Sequence, residues 1–364
     1  SVLKNYKGSI LAISGDVPLI KSSTLSALIR HNSKNKNSAT VLSTIVDNPF
    51  GYGRIVKNAN LFEKIVEEKD ASIEQKQINE INSGIYCFDD LIWDILKKIK
   101  PNNVKKEYYI TDSIAILKQE GKLVGLYKTD DNSEVKGINN RKELAEAENI
   151  IQDRKIKELL DKGVSFIDTK SVYISDDAKI GQDTVIYPGV FIANNVSIGK
   201  DCKIEGSSYI ADSKIADSVL ISYSYINGAE IEKGVRIGPY SHIRPQSHLK
   251  ENVKVGNFSE IKKSKLEKGA KVNHLSYIGD AQIGKSVNIG AGTITCNFDG
   301  IKKHETIIED NVFVGSNVNL VAPVKVGKNA LIAAGSTITH DIPSNQLAIE
   351  RTKQQHINRR IIMK

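Results

Sequence analysis

Cysteine is scarce. The three thiols in 364 residues, Cys87, Cys202 and Cys296, lie far apart, with neither CxxC nor Cys/His ligand spacing. This excludes a disulfide framework and a zinc finger and leaves reduced, mostly buried thiols. Long apolar runs are also lacking, and none approaches the roughly 18 residues a membrane-spanning helix needs. With 40% hydrophobic and 26% charged residues the composition is that of a globular chain, for which the cytoplasm is the expected compartment. No run of basic residues is interleaved with aromatics. The 51 Lys and Arg against 43 Asp and Glu give a net charge of +8, but the lysines are scattered, which argues against a nucleic-acid channel. Methionine is nearly absent: Met363 is the only one, and the chain opens on Ser1-Val2-Leu3-Lys4 with no signal-peptide pattern. Either an initiator has been removed or these residues come from the middle of something longer.

What is present falls into two parts with different periods. From about Ser171 to Thr339 aliphatic residues recur every six positions: Ile174, Ile180, Ile186, Ile192, Ile198, Ile204 and Ile210, then Ile231, Ile237, Ile243, Leu249, Val255 and Ile261, then Ile308, Val314, Leu320, Val326, Ile332 and Ile338. Neither a helix of period 3.6 nor a strand of period 2 gives this spacing. A coiling backbone does, with one short strand and one bend per hexad, and Gly181, Gly199, Gly238, Gly284 and Gly327 suit the bends. The expected element is a parallel β-helix with capped ends. Before it, the apolar runs Ser9–Ser14 and Thr40–Val46 flank a helical stretch at Ser22–His31, which predicts a mostly parallel α/β sheet. Asn140–Lys162 reads as a connecting helix stopped by Gly163.

The chemistry is expected where the period breaks. Arg244 and Lys262 stand three hexads apart, so two cations stack on adjacent turns and either bind a phosphate or remain solvated. His274 is either a general base or structural. His242, His248 and His304 are too irregularly spaced to form a metal edge.

Several longer motifs sharpen this reading: GDVPLI (15–20), GYGRIV (51–56), EINSG (80–84), EYYITD (107–112), RPQSHL (244–249), VGNFSEIKKSKL (255–266), NHLSYIGDA (273–281) and NIGAGTITCNFDG (288–300). Together and in order they resemble the bacterial bifunctional enzymes of UDP-N-acetylglucosamine synthesis, which join a glucosamine-1-phosphate acetyltransferase to an N-acetylglucosamine-1-phosphate uridyltransferase. The resemblance implies an incomplete Rossmann-like α/β nucleotidyltransferase domain (1–139), a linker helix (140–164), a left-handed parallel β-helix of hexapeptide repeats (165–340) and a basic C-terminal tail (341–364). It also implies a homotrimer with sites between subunits.

Residue by residue, the resemblance makes His274 the catalytic base and Arg244, Lys262, Tyr277 and Asn288 the sugar-phosphate residues. It puts Ala291, Asn297, Phe298, Ser316, Ala334 and Arg351 against acetyl-CoA. Ser14, Gly15, Asp16, Gly53, Glu67, Asn82 and Asn139 correspond to the UTP and UDP-N-acetylglucosamine site, with Asp16 and Asn139 on Mg²⁺. Glu260, beside Lys262, is a candidate to orient His274. Two departures stand out. Phe298 occupies a position where the family commonly has Tyr. The glycine-rich phosphate loop that opens the family's nucleotidyltransferase domain is not found, so the chain as it stands is expected to lack uridyl transfer. The alternative readings are a hexapeptide acyltransferase for another amino sugar and a non-catalytic β-helix scaffold.

Overall fold

A computed structural model describes residues 6–59, 61–101 and 108–356. Ser1–Lys4, Glu107 of the EYYITD motif, Met363 and the end of the basic tail lie outside the described residues. The chain divides into two compact units, Ser1–Ile151 and Gln152–Lys364.

The first unit is built on a six-stranded sheet. Its strands are β1 (Ile10–Ala12), β2 (Ala39–Ile45), β3 (Arg54–Asn58), β4 (Leu61–Val66), β5 (Glu80–Phe88) and β6 (Val124–Lys128), in the order β4-β3-β5-β2-β6 with β1 also on β5. The expectation of a mostly parallel sheet is corrected. Among the described strands only β2 and β6 run parallel; β1 and β2 pair antiparallel with β5, as β3 does with β4 and β5. The hydrophobic pattern misled because β2 is buried almost throughout, and such a run looks the same in either direction. Helices α1 (Ser22–Lys34), α2 (Ile92–Leu96) and α3 (Thr111–Gln119) complete the unit. The start of α1 has no side-chain cap of its own; the buried carboxylate of Glu134 accepts from the Lys21 N–H instead (3.2 Å).

The long helix α4 (Arg141–Asp161) begins at a well-formed N-terminus: Asn140 Oδ1 accepts from the Glu143 N–H (3.0 Å), while the Glu143 carboxylate accepts from the Asn139 N–H (2.6 Å). The boundary between units falls inside α4, and its second half belongs to the solenoid. There Ile156 and Leu159 join the core, Gln152 exchanges two hydrogen bonds with the Ile174 backbone, and the buried Lys155 ammonium donates to the Asp176 carbonyl (2.7 Å). The helix thus covers the open first turn, whose apolar rungs would otherwise face water.

The second unit is a parallel β-helix with three faces, sheets of 11, 10 and 9 short strands. Equivalent rungs sit directly above one another, as in Ile186 on Ile204 and Ile243 on Ile261, and the inward side chains are essentially inaccessible. Most bends use Asn, Asp or Gly at positive φ, residues that tolerate the left-handed region. One corner is different. Where the first face turns into the second, the left-handed positions of successive turns hold Tyr223, Tyr240, Phe258 and Leu275, at φ of 43–59° and 49–61% exposed. Bulky apolar residues in that region are unusual, and here they form a continuous apolar ridge.

Candidate active site

In the first unit the sequence-predicted residues form a connected chain of contacts. Glycine at 84, φ +74°, admits Ser14 Oγ so closely that a Cβ would lie 2.7 Å from it. The Gly84 N–H donates to Asn82 Oδ1 (3.2 Å), the Asn82 N–H donates to the Gly53 carbonyl (2.8 Å), and the space beside Gly53 is occupied by the Glu67 carboxylate. Gly15 connects Ser14 to Asp16, whose carbonyl accepts from the Ile138 N–H (2.9 Å). The Asp16 and Asn139 side chains meet over Gly137, where a Cβ would come within 3.3 and 3.9 Å of them.

Next to Glu67 lies a cavity of about 390 Å³ lined by Asp70, Tyr109, Thr111, Asp112 and Lys118 among others. Burial raises the Glu67 carboxyl above its ordinary value, opposed by a hydrogen bond from Thr111 and assisted by Asp70 and Asp112. A carboxylate raised in this way makes the folded state less favourable once it ionises. Its cost is absent below the unfolded value of 4.5 and grows as pH rises through the folded value. Glu67→Gln is therefore expected to unfold at a higher temperature than the parent at pH 7, with the difference vanishing near pH 4; equal thermal midpoints at both pH values would count against a strained carboxylate.

In the second unit the second face carries the polar patch. Strand pairing puts Glu260 beside Tyr277 and Lys262 beside Gly279, with Arg244 one turn below Lys262. Arg244 Nη1 donates to Glu260 Oε1 (2.8 Å), so the guanidinium crosses the face. Lys262 Nζ reaches Asp280 Oδ2 (3.4 Å), and the same carboxylate oxygen accepts from Asn297 Nδ2 (2.6 Å). Asn297 Nδ2 is also 3.3 Å from the Tyr277 hydroxyl. Both groups lie over Gly279, where a Cβ would be 2.5 Å from Tyr277 OH and 2.7 Å from Asn297 Nδ2, so a side chain at 279 would displace them.

His274 lies on the corner just before this face. Above it, on successive turns, come Ala291, Ser316 and Ala334, joined by backbone hydrogen bonds from Gly292 to His274, Asn317 to Ala291 and Gly335 to Ser316. Arg351 closes the column by donating to the Ala334 carbonyl (2.9 Å). Asn288 is not brought to the patch; it stands on the first face between Lys271 and Phe313. The suggestion that Glu260 orients His274 is corrected, because that carboxylate is engaged by Arg244 and the imidazole Nδ1 instead faces Asn257 Oδ1 at 2.8 Å.

One turn is longer than the rest, with Lys285 reaching across 25 residues to Asp310 where 18 is the usual step. The excess lies in the excursion 297–305. Phe298 pairs with Lys303 across it and lies under the Lys303 ammonium, 4.3 Å from ring centroid to Nζ. Asp299, accepting from the backbone of Lys302, from His304 and from the backbone of Ile301, is pushed down to about 2 and holds the loop closed.

Residues 1–140 match the nucleotidyl transferase family, residues 169–231 the GMPPB C-terminal domain, and residues 228–263 and 305–340 the bacterial transferase hexapeptide repeats. The proteins called bifunctional protein GlmU from Caldicellulosiruptor saccharolyticus, Carboxydothermus hydrogenoformans and Alkaliphilus metalliredigens are 52%, 47% and 46% identical, over 97%, 95% and 96% of this chain and 77%, 78% and 77% of their own lengths. The chain belongs to the bifunctional GlmU family. Its class is thereby that of a glucosamine-1-phosphate N-acetyltransferase joined to a uridyltransferase, and the fold is a nucleotidyltransferase unit followed by a hexapeptide β-helix.

Three partners of the predicted residues escaped sequence reasoning. Asn257 is 17 residues before His274, one turn below; Asp280 is 18 after Lys262, one turn above; Thr111 lies in the YYITD segment. For the first two the repeat itself was the signal, since a polar residue one turn from a predicted site residue is its neighbour.

Proposed function

We propose that acetyl transfer takes place where the His274 column meets the Arg244–Tyr277 face. The observation that carries this reading is the position of His274, which belongs at once to the corner column Ala291, Ser316, Ala334 and, three residues before Tyr277, to the edge of the face that carries Arg244 and Lys262. Acetyl-CoA would lie along the column, with Asn297, Phe298 and Arg351 as further contacts. Phe298 has no hydroxyl and would contribute ring surface. The phosphate of glucosamine 1-phosphate would be held by Arg244, Lys262 and Tyr277.

The chemistry needs no covalent enzyme intermediate. The amine enters as its free base and attacks the thioester carbonyl carbon. The nitrogen sheds a proton to His274 as the C–N bond forms; the C–S bond then breaks, and the departing CoA sulfur takes up that proton. The cation pair contributes by fixing the sugar phosphate in place.

Removal of Arg244 is the direct test. Because hydrogen bonds to charged groups are worth about 1.5–3 kcal/mol, Arg244→Ala is expected to raise KM for glucosamine 1-phosphate by roughly 10- to 100-fold. KM for acetyl-CoA stays unchanged in a thiol-release assay; a rise confined to acetyl-CoA would exchange the two subsites.

Asn288 lies on a different face from the patch, and the apolar ridge Tyr223–Leu275 borders His274. Both fit a site completed by a second copy of the chain, in a homotrimer. In the first unit, Ser14, Gly15, Gly53, Glu67 and Asn82 would hold the uridine nucleotide and sugar. The convergence of a carboxylate and a carboxamide over Gly137 fits Mg²⁺, a hard cation that takes one or two protein oxygens and completes its shell with phosphates and water. Asp16 and Asn139 would hold the ion, which supplies charge neutralisation at the nucleotide phosphates. Acetyl-CoA and UTP are cytosolic metabolites, and the cytoplasm is the compartment this chemistry requires.

A further inference from the structure

A general base works only if its free lone pair faces the substrate, and an imidazole has two nitrogens with which to be wrong. We infer that Asn257 is the positioning residue that fixes the His274 ring, holding Nδ1 as the donor so that Nε2 is the proton acceptor. This rests on the reading of His274 as the base.

The geometry is set by the coil. Asn257 and His274 occupy the same corner on consecutive turns, and the Leu275 N–H donates to the Asn257 carbonyl (3.1 Å). The turns approach so closely that a Cβ on Gly256 would lie 2.1 Å from the Asn273 carbonyl oxygen, so glycine there is what lets the two side chains reach each other. Ser276 Oγ donates to the His274 carbonyl (2.8 Å), which fixes the backbone from which the imidazole projects. With that backbone held and Nδ1 facing Asn257 Oδ1 at 2.8 Å, the acceptor oxygen requires the proton on Nδ1.

An amide orients the ring without adding charge. A carboxylate in the same place would favour the imidazolium, and a base already protonated near neutrality accepts nothing. The other groups around the ring leave this choice to Asn257. On the turn below, Lys254 and Glu260 bracket Asn257, and Glu260 is neutralised by Arg244. On its own turn His274 stands between Lys271 and Tyr277. On the turn above, Gly290–Thr293 contains no ionisable side chain.

The test is the pH dependence of acetyl transfer by the purified full chain carrying Asn257→Ala or the near-isosteric Asn257→Asp. In Asn257→Ala, kcat is expected to fall roughly tenfold, a part of the 10²–10⁴ a general base supplies, with KM for acetyl-CoA unchanged. In Asn257→Asp, the acid limb of kcat/KM is expected to move up by about one pH unit, because the carboxylate stabilises the imidazolium. Parental kcat in the first variant together with an unmoved acid limb in the second overturns the inference. His274→Ala, measured alongside, separates the two levels: if it retains activity the base assignment itself fails, whereas if it is inactive while both Asn257 variants behave as the parent, only the positioning role fails. Thermal unfolding of Asn257→Asp at the parental temperature establishes that the shift is not a folding effect.

Discussion

Replacing His274 by Ala is expected to lower kcat of acetyl transfer by about 10²- to 10⁴-fold, the range of a lost general base. Glucosamine 1-phosphate carries its amine largely as ammonium near neutrality, and the nitrogen must shed a further proton as the amide forms. The three other imidazoles of neighbouring turns are engaged elsewhere: His242 stacks edge-on against Tyr225, His248 is bound to Glu232, and His304 is bound to Asp299. Tyr277 OH is within reach of Asn297, on the face proposed to hold the phosphate. The loss is expected in kcat, with acetyl-CoA still bound, because the contacts proposed for CoA are Ala291, Ser316 and Ala334 above His274 together with Asn297, Phe298 and Arg351, and the imidazole is not among them. Isothermal titration with CoA alongside the thiol-release assay separates the two. Full activity in the variant removes His274 from the mechanism, and loss of CoA binding makes it a binding residue.

The β-helix was legible because its signal is one-dimensional. A rung residue repeats every six positions whatever else the turn contains, so Ile243 and Ile261 could be paired from the sequence. The same regularity puts Arg244 and Lys262 on consecutive turns, directly after the paired Ile243 and Ile261, although their side chains go to different carboxylates, Glu260 and Asp280. Side-chain partners were not legible, because the repeat sets which turns touch but not which way a long side chain bends. Glu260 is two residues from Lys262 in sequence and one strand away from Tyr277, yet it serves Arg244, while His274 takes its partner from the turn below. The first unit was harder. Strand direction depends on connections that hydrophobicity does not record, and β5, which pairs antiparallel with three other strands, carries the EINSG motif without announcing its orientation. The cavity beside Glu67 likewise draws on segments far apart in the chain, β4 and the start of α3, that no period connects.

Ile278→Ala is expected to destabilise the second unit by about 2–5 kcal/mol, the usual cost of truncating a fully buried aliphatic side chain. Ile278 is fully inaccessible and stacks on Ile261, and its flanking residues are Tyr277 and Gly279 of the candidate site. A solenoid turn contacts only its neighbours, so the void cannot be filled by rearrangement from a distance, and its effect concentrates on the adjacent turns. Those turns hold Lys262 and Asn297 in register. Acetyl transfer should therefore fail at a lower urea concentration than in the parent, and the same displacement should be seen in the circular-dichroism transition of the β-helix. Among the described residues, none of the first unit's core clusters contains Ile278, and the unfolding of that unit should not move. A variant that loses activity at the parental urea midpoint would mean that the rung shapes the site without supporting the fold. One that unfolds both units together would mean that the two share a single cooperative transition.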